Sequence, residues 1–115
     1  MGAAGVSQMP IRWTENNHFS NVIYLTDERW EHIIDGNNHP EMAGFEEYLK
    51  KTIRLGTRKQ DPLNPHKYRY TRKFQDLPEG NTHIIAIVLF RLRETSAAEP
   101  VPNNYIVTAY QKEMG

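Results

Sequence analysis

Histidine, tyrosine, threonine, arginine and lysine are the side chains in this sequence that could carry out acid–base or phosphate chemistry. Histidine changes charge near neutral pH, so it can act as a general base or a general acid. Arginine binds phosphate through paired hydrogen bonds, and cations stabilise the charge that develops on phosphorus. These residue types suit metal-independent RNA cleavage, in which a base activates the 2′-hydroxyl and an acid protonates the leaving 5′-oxygen.

Other kinds of chemistry lack the motifs that they need. The sequence has no cysteine, which excludes disulfides, thiolate catalysis and cysteine-based zinc sites. His32 and His39 are separated by an expected helix end, and HExxH is absent, so no metal site is expected. No P-loop, GxGxxG motif or nucleophile elbow occurs, so no cofactor is expected either.

The charges are strongly segregated along the chain, although the net charge is zero. Residues 27–47 carry seven acidic residues and one base, whereas residues 50–73 carry nine bases and one acid. Such segregation indicates either a surface that binds a polyanion or two faces that meet in an oligomer. A structural interpretation is equally open, because acids favour helix N-termini and bases favour helix ends and strand edges.

The periodicity of apolar residues predicts helices in the first half of the chain and strands in the second. A short strand is expected over residues 22–25, followed by helices over Asp27–Asp35 and Pro40–Arg54. Alternation and apolar runs predict antiparallel strands at Tyr68–Phe74, Thr82–Leu92 and Tyr105–Gln111. The fold class is therefore predicted to be α+β, with the helices on one face of an antiparallel meander.

One domain is expected over residues 21–115, preceded by a flexible extension over residues 1–20. No apolar run is long enough to span a bilayer, and the first residues lack the pattern of a secretion signal. We therefore expect a cytoplasmic protein with no membrane partner. The sequence gives no oligomeric state.

Several segments resemble one known superfamily in their order and pattern. They are WEHIIDGNNHPEM, a loop containing DP, a strand rich in Tyr and Arg, an apolar strand, and NYIVTAY. Between Val22 and Lys112 they look like the phage and plasmid nuclease domains of the barnase–EndoU–colicin–RelE superfamily. The resemblance implies a RelE- or barnase-like fold, with N-terminal helices packed on a four-stranded antiparallel sheet. It also implies a metal-independent endoribonuclease of toxin or defence-effector type, cleaving RNA by transesterification from the 2′-hydroxyl.

By position, the resemblance implies catalytic residues at His32, His39, Tyr70, Thr108 and Tyr110. The basic candidates for RNA contact are Arg58, Lys67, Arg69, Arg72 and Lys73. His32 is the favoured acid or base, because it lies in the resembling motif and off the apolar stripe of its helix. Structural alternatives remain open. Tyr70 could belong to the core. Thr108 and Tyr110 are expected to share a strand face with Ile106 and could simply pack there. Lys67, Arg69 and Lys73 could protect a strand edge.

A non-catalytic protein-binding module on the same fold is the rival interpretation, such as an antitoxin-like partner or a phage adaptor. RNA is the expected partner, and a protein inhibitor or antitoxin is an open alternative. An enzyme would bring His32, Tyr110 and a basic residue within reach of one phosphate. A binding module would scatter these groups and expose an apolar patch.

Overall fold

Two strands precede the helices, and the second of them shows alternating burial. They are Ile11–Asn16 (β1) and Val22–Thr26 (β2), which pair antiparallel in the computed structural model. This structure describes residues 10–96 and 99–114. In β2, Ile23 and Leu25 have no exposed surface, whereas Val22 is exposed. The alternation fits a strand with one face against the core.

The first helix, α1 (Asp27–Ile34), begins where a side chain satisfies its free backbone groups. The Oγ1 of Thr26 accepts a hydrogen bond from the backbone N–H of Arg29, which is the usual role of a threonine at this position. Trp30 and Ile33 lie on the buried side of the helix. The predicted helix over Asp27–Asp35 is thus confirmed to within one residue.

The second predicted helix is interrupted. Pro40–Met42 forms a single 3-10 turn, and α2 extends over Glu46–Leu55. Gly44 lies between them with a φ of 90°, a conformation that a right-handed helix cannot contain. The prediction of one helix over Pro40–Arg54 is therefore wrong.

Four further strands form an antiparallel meander. They are β3 (Thr57–Asp61), β4 (Asn64–Lys73), β5 (His83–Arg93) and β6 (Val101–Lys112). The predicted antiparallel pairing of the last three is confirmed. The complete sheet has the order β1-β2-β6-β5-β4-β3, and β2 lies parallel to β6.

The prediction of N-terminal helices on a four-stranded antiparallel sheet is wrong, because the sheet has six strands and is mixed. Parallel neighbours need a long crossover connection, and the chain from α1 to β5 provides it. Of the predicted extension, residues 1–9 lie outside the described residues, while residues 10–20 include β1 and the turn after it. No helix in the described ranges is long and apolar enough to cross a membrane.

The two faces of the sheet differ in what covers them. One face carries the apolar cluster that joins both helices to the sheet, including Leu49 of α2 and Ile84, Ala86 and Val88 of β5. Paired residues on neighbouring strands project to the same side of the sheet. The pairs that do not belong to this apolar cluster therefore project from the opposite face, which we call the open face. Its rows are Lys67–Leu89–Tyr105, Arg69–Ile87–Thr108, Thr71–Ile85–Tyr110 and Lys73–His83–Lys112.

A β-bulge in β6 determines which side chains of this strand lie on the open face. Val88 pairs with Ile106 and Ile87 pairs with Thr108, which leaves Val107 without a partner. Such a bulge inverts the alternation of the residues that follow it. Ile106 consequently faces the core while Thr108 faces the opposite way, so the predicted grouping of Thr108 and Tyr110 with Ile106 is wrong.

Candidate functional site

The 3-10 turn lies against the edge of β6 that β2 leaves uncovered. β2 pairs with β6 only at Asn104 and Tyr105, so the later backbone groups on this edge need other partners. The backbone N–H of Gln111 donates to Oε2 of Glu41 at 3.4 Å. The side-chain amide of Gln111 donates to the backbone oxygen of Glu41 at 3.0 Å. These two hydrogen bonds hold the turn beside the end of β6.

His39 immediately precedes the turn, and its ring lies against Tyr110. The ring centroids are 5.3 Å apart, and the planes are inclined by 31°. The Nδ1 atom of His39 lies 3.5 Å from Oε2 of Glu41. A carboxylate beside one ring nitrogen orients the imidazole. His39 can therefore exchange a proton through its other nitrogen, close to a tyrosine on the open face.

A second histidine lies on the open face near Tyr110. His83 occupies the row between Lys73 and Lys112, next to the row that contains Tyr110. Diagonal neighbours on antiparallel strands have Cα atoms about 7–8 Å apart. The Nδ1 atom of His83 lies 2.6 Å from Oγ1 of Thr82, which leaves Nε2 for a ligand. His39 therefore contacts Tyr110, and His83 lies diagonally across from it on the neighbouring strand.

Basic side chains are distributed along the whole open face. Seven of them project from its strands: Lys59, Lys67, Arg69, Lys73, Arg91, Arg93 and Lys112. A cavity of about 330 Å³ is lined by three of them, Lys59, Lys67 and Arg69. Four of the nine bases in residues 50–73 thus lie on the open face, while the other five lie on α2 or on the helix side of the sheet.

The acids of residues 27–47 lie in the helical layer, together with several bases, and some of these carboxylates have described partners. Glu46 accepts hydrogen bonds from Arg12 and from the indole N–H of Trp13, the latter at 2.7 Å. Burial opposes its ionisation, but these hydrogen bonds and the charges of Arg12 and Lys50 outweigh burial and lower the pKa of Glu46. Glu46 thereby connects β1 to α2.

Three of the predicted RNA-binding residues, Lys67, Arg69 and Lys73, lie on the open face, and two do not. Arg58 lies on the helix side, where it donates to Oδ1 of Asn21 at 2.8 Å and stacks over the rings of Phe19, Tyr68 and Phe90. Arg72 lies over Phe74 on the same side, and its buried Nε has no hydrogen-bond partner among the described residues. Arg58 therefore has a structural environment rather than a phosphate-facing one.

Tyr70 lies in the core rather than near the histidines. Its side chain has no exposed surface, and its hydroxyl accepts hydrogen bonds from Asn17 and, at 3.3 Å, from Arg58. Burial raises the pKa of Tyr70, while Arg58 and Asn17 partly oppose that rise. The structure thus separates Tyr70 from Thr108 and Tyr110, which lie on the open face.

His32 is exposed near the end of α1. Within residues 10–96 and 99–114 its imidazole has no hydrogen bond, ion pair or ring contact. The structure brings His39, Thr108 and Tyr110 to one region, and His32 has no described contact with it. Of the two predicted histidines, only His39 has described side-chain contacts, to Glu41 and Tyr110.

Two residues of this site were absent from the sequence-based candidates. Alternation along β5 places His83 on the same face as Ile85. The apolar run of β5, however, predicted a strand buried on both faces, so no face was expected to be open for His83 to act on. Glu41 gave no local signal, because its contacts to His39 and Gln111 depend on a strand far along the chain. No protein-family model, curated protein or solved structure matches this chain significantly.

Proposed function

We propose that this protein is a metal-independent endoribonuclease of toxin or defence-effector type that acts in the cytoplasm. The main support is the contact between His39 and Tyr110 on a sheet face that carries seven basic side chains. A polyanion is attracted to such a face. The histidines supply the acid and the base that RNA transesterification requires.

The proposed reaction uses the two histidines in opposite protonation states. One neutral imidazole accepts the proton of a 2′-hydroxyl while the 2′-oxygen bonds to phosphorus. The bond from phosphorus to the 5′-oxygen breaks, and the other, protonated imidazole donates its proton to that oxygen. The products are a 2′,3′-cyclic phosphate and a free 5′-hydroxyl. Arg69, Lys73 and Lys112 lie in the rows on either side of Tyr110 and can stabilise the charge on phosphorus.

Labelled single-stranded RNA incubated with the purified protein in EDTA tests this proposal directly. We expect products with 2′,3′-cyclic phosphate ends. An oligonucleotide with 2′-deoxyribose throughout is the substrate control and must stay intact, because it has no attacking hydroxyl. The double variant His39→Ala/His83→Ala is the protein control. Cleavage that EDTA abolishes, or cleavage of the deoxyribose strand, would contradict the mechanism.

A protein-binding module is the second candidate function, and the charge separation supports it as well. The acidic helical layer of one copy could meet the basic open face of another. In that case the protein would cleave neither unstructured RNA, nor transfer RNA, nor ribosomal RNA. It would also self-associate, with an affinity that falls as salt is added. Sedimentation at two salt concentrations, beside the cleavage assay, distinguishes the two functions.

A further inference from the structure

A second cavity, of about 590 Å³, opens on the open face where β2 lies beside β6. Two tyrosine rings line it, those of Tyr24 and Tyr105, with centroids 6.0 Å apart and planes inclined by 41°. The hydroxyl of Tyr24 donates to Oδ1 of Asn103 at 2.9 Å, which fixes one ring. The volume lies in the range of small-molecule sites.

Two guanidinium groups also line this cavity, those of Arg29 and Arg93. In the described part of the chain neither group has an ion pair or a side-chain hydrogen bond. The amide nitrogen of Asn103 likewise has no described partner there, although its oxygen is engaged by Tyr24. One carboxylate, that of Glu28, also lines the cavity. The cavity therefore combines aromatic faces, two unpaired cations against one acid, and a free amide donor.

This combination matches one nucleotide of a single-stranded nucleic acid. Unpaired bases stack on aromatic side chains, whatever their identity, and an amide can bind a base edge. Guanidinium groups bind phosphate through paired hydrogen bonds. A site made only for an inorganic anion would not need two tyrosine rings.

We propose that this cavity binds one nucleotide of the RNA whose backbone crosses the open face. The base would lie against Tyr24 and Tyr105, and its phosphate would lie on Arg29 and Arg93. The inference rests on the proposed function and extends it, because Tyr105 and Tyr110 lie on the same face of one strand. They are five residues apart, or about 16 Å at the rise of a strand. A single RNA strand can reach both.

An oligonucleotide with 2′-O-methyl groups tests base binding without cleavage, because it lacks the attacking hydroxyl. Fluorescence anisotropy would compare a labelled oligouridine of this kind with a strand of the same length that carries no bases. We expect Tyr105→Leu to weaken binding of the oligouridine about 5- to 150-fold, with little effect on the strand without bases. Tyr105→Phe keeps the ring and should bind like the wild type.

Arg93→Gln provides a second variant at an exposed position, where folding is not at risk. It should weaken binding of both strands, whereas Lys51→Gln, on the exposed side of α2, removes the same charge without this effect. Equal affinities of the wild type for the two strands would overturn the nucleotide site, even if the protein cleaves RNA. Base-dependent binding that is lost in Tyr105→Leu would support the site, even if no RNA is cleaved.

Discussion

His39 and Tyr110 are neighbours although they come from distant parts of the chain, with ring centroids 5.3 Å apart. The hydrogen bonds of Glu41 to Gln111 produce this contact, because they hold the 3-10 turn beside the strand that carries Tyr110. The same carboxylate lies 3.5 Å from His39. One residue thus both anchors the turn and orients the imidazole.

Replacing His39 should reduce RNA cleavage more than replacing His32. A positioned acid or base contributes about 10²- to 10⁴-fold to a rate, so His39→Ala should lose about that much. His32→Ala serves as the matched control, since His32 is exposed and lacks described side-chain contacts. Single-turnover cleavage in EDTA measures both. A larger loss in His32→Ala would return the catalytic role to the residue that the sequence favours.

The salt dependence of RNA binding should depend on the basic residues of the open face. Each phosphate neutralised on a single strand contributes about −0.7 to the slope of log affinity against log salt. Replacing Lys67, Arg69 and Lys73 together by Gln should therefore flatten that slope by about 2. Lys51→Gln, on the helical layer, should leave the slope unchanged. Equal slopes for the wild type and the triple variant would show that RNA does not bind along β4.

The stability contributed by Glu46 should depend on pH. Because its pKa is lowered in the folded state, its contribution is present above the unfolded value, about 4.3, and is lost as pH falls through the folded value. Glu46→Gln should cost about 1 kcal/mol at pH 7. Urea unfolding at several pH values should show the difference from the wild type shrinking below about pH 4. A difference that stays constant down to pH 3 would exclude this role.

Tyr70→Phe should lower stability without changing the chemistry. Removing the hydroxyl takes away a buried acceptor of Asn17 and Arg58, although both can still donate to Oδ1 of Asn21. The loss should therefore cost about 1 kcal/mol. The cleavage rate per folded molecule should equal that of the wild type. Tyr48→Phe is the comparison, since its hydroxyl bonds Asp76 at the surface, and it should lose less stability. A folded Tyr70→Phe protein with greatly reduced cleavage would make Tyr70 catalytic after all.

Long apolar patterns made parts of the fold predictable. The periodicity of α1 placed Trp30 and Ile33 in the core, and that of α2 did the same for Leu49 and Ile53. The apolar run of β5 predicted a strand with a neighbour on each side. These signals are local, because burial of one helix stripe or one strand imposes its own spacing.

The parts that were not predicted depend on contacts between distant segments. β1 is short and mostly exposed, and it becomes a strand by pairing with β2. The bulge at Val107 carries no glycine or proline to mark it, yet it decides that Thr108 and Tyr110 face away from the core. The predicted grouping of Thr108 and Tyr110 with Ile106 therefore failed, because the register of the sheet overrode the local alternation.

The parallel pairing of β2 with β6 also has a consequence for the order of folding. It joins Ile23 to Asn104, whereas β3 to β6 can form from hairpins between consecutive strands. Closing a long loop costs entropy before its contacts form. Tyr110 belongs to the meander of β3 to β6. His39 belongs to the segment after β2, which joins the meander when β2 pairs with β6. We therefore expect the two rings to meet only in the slowest folding step, after most of the sheet has formed.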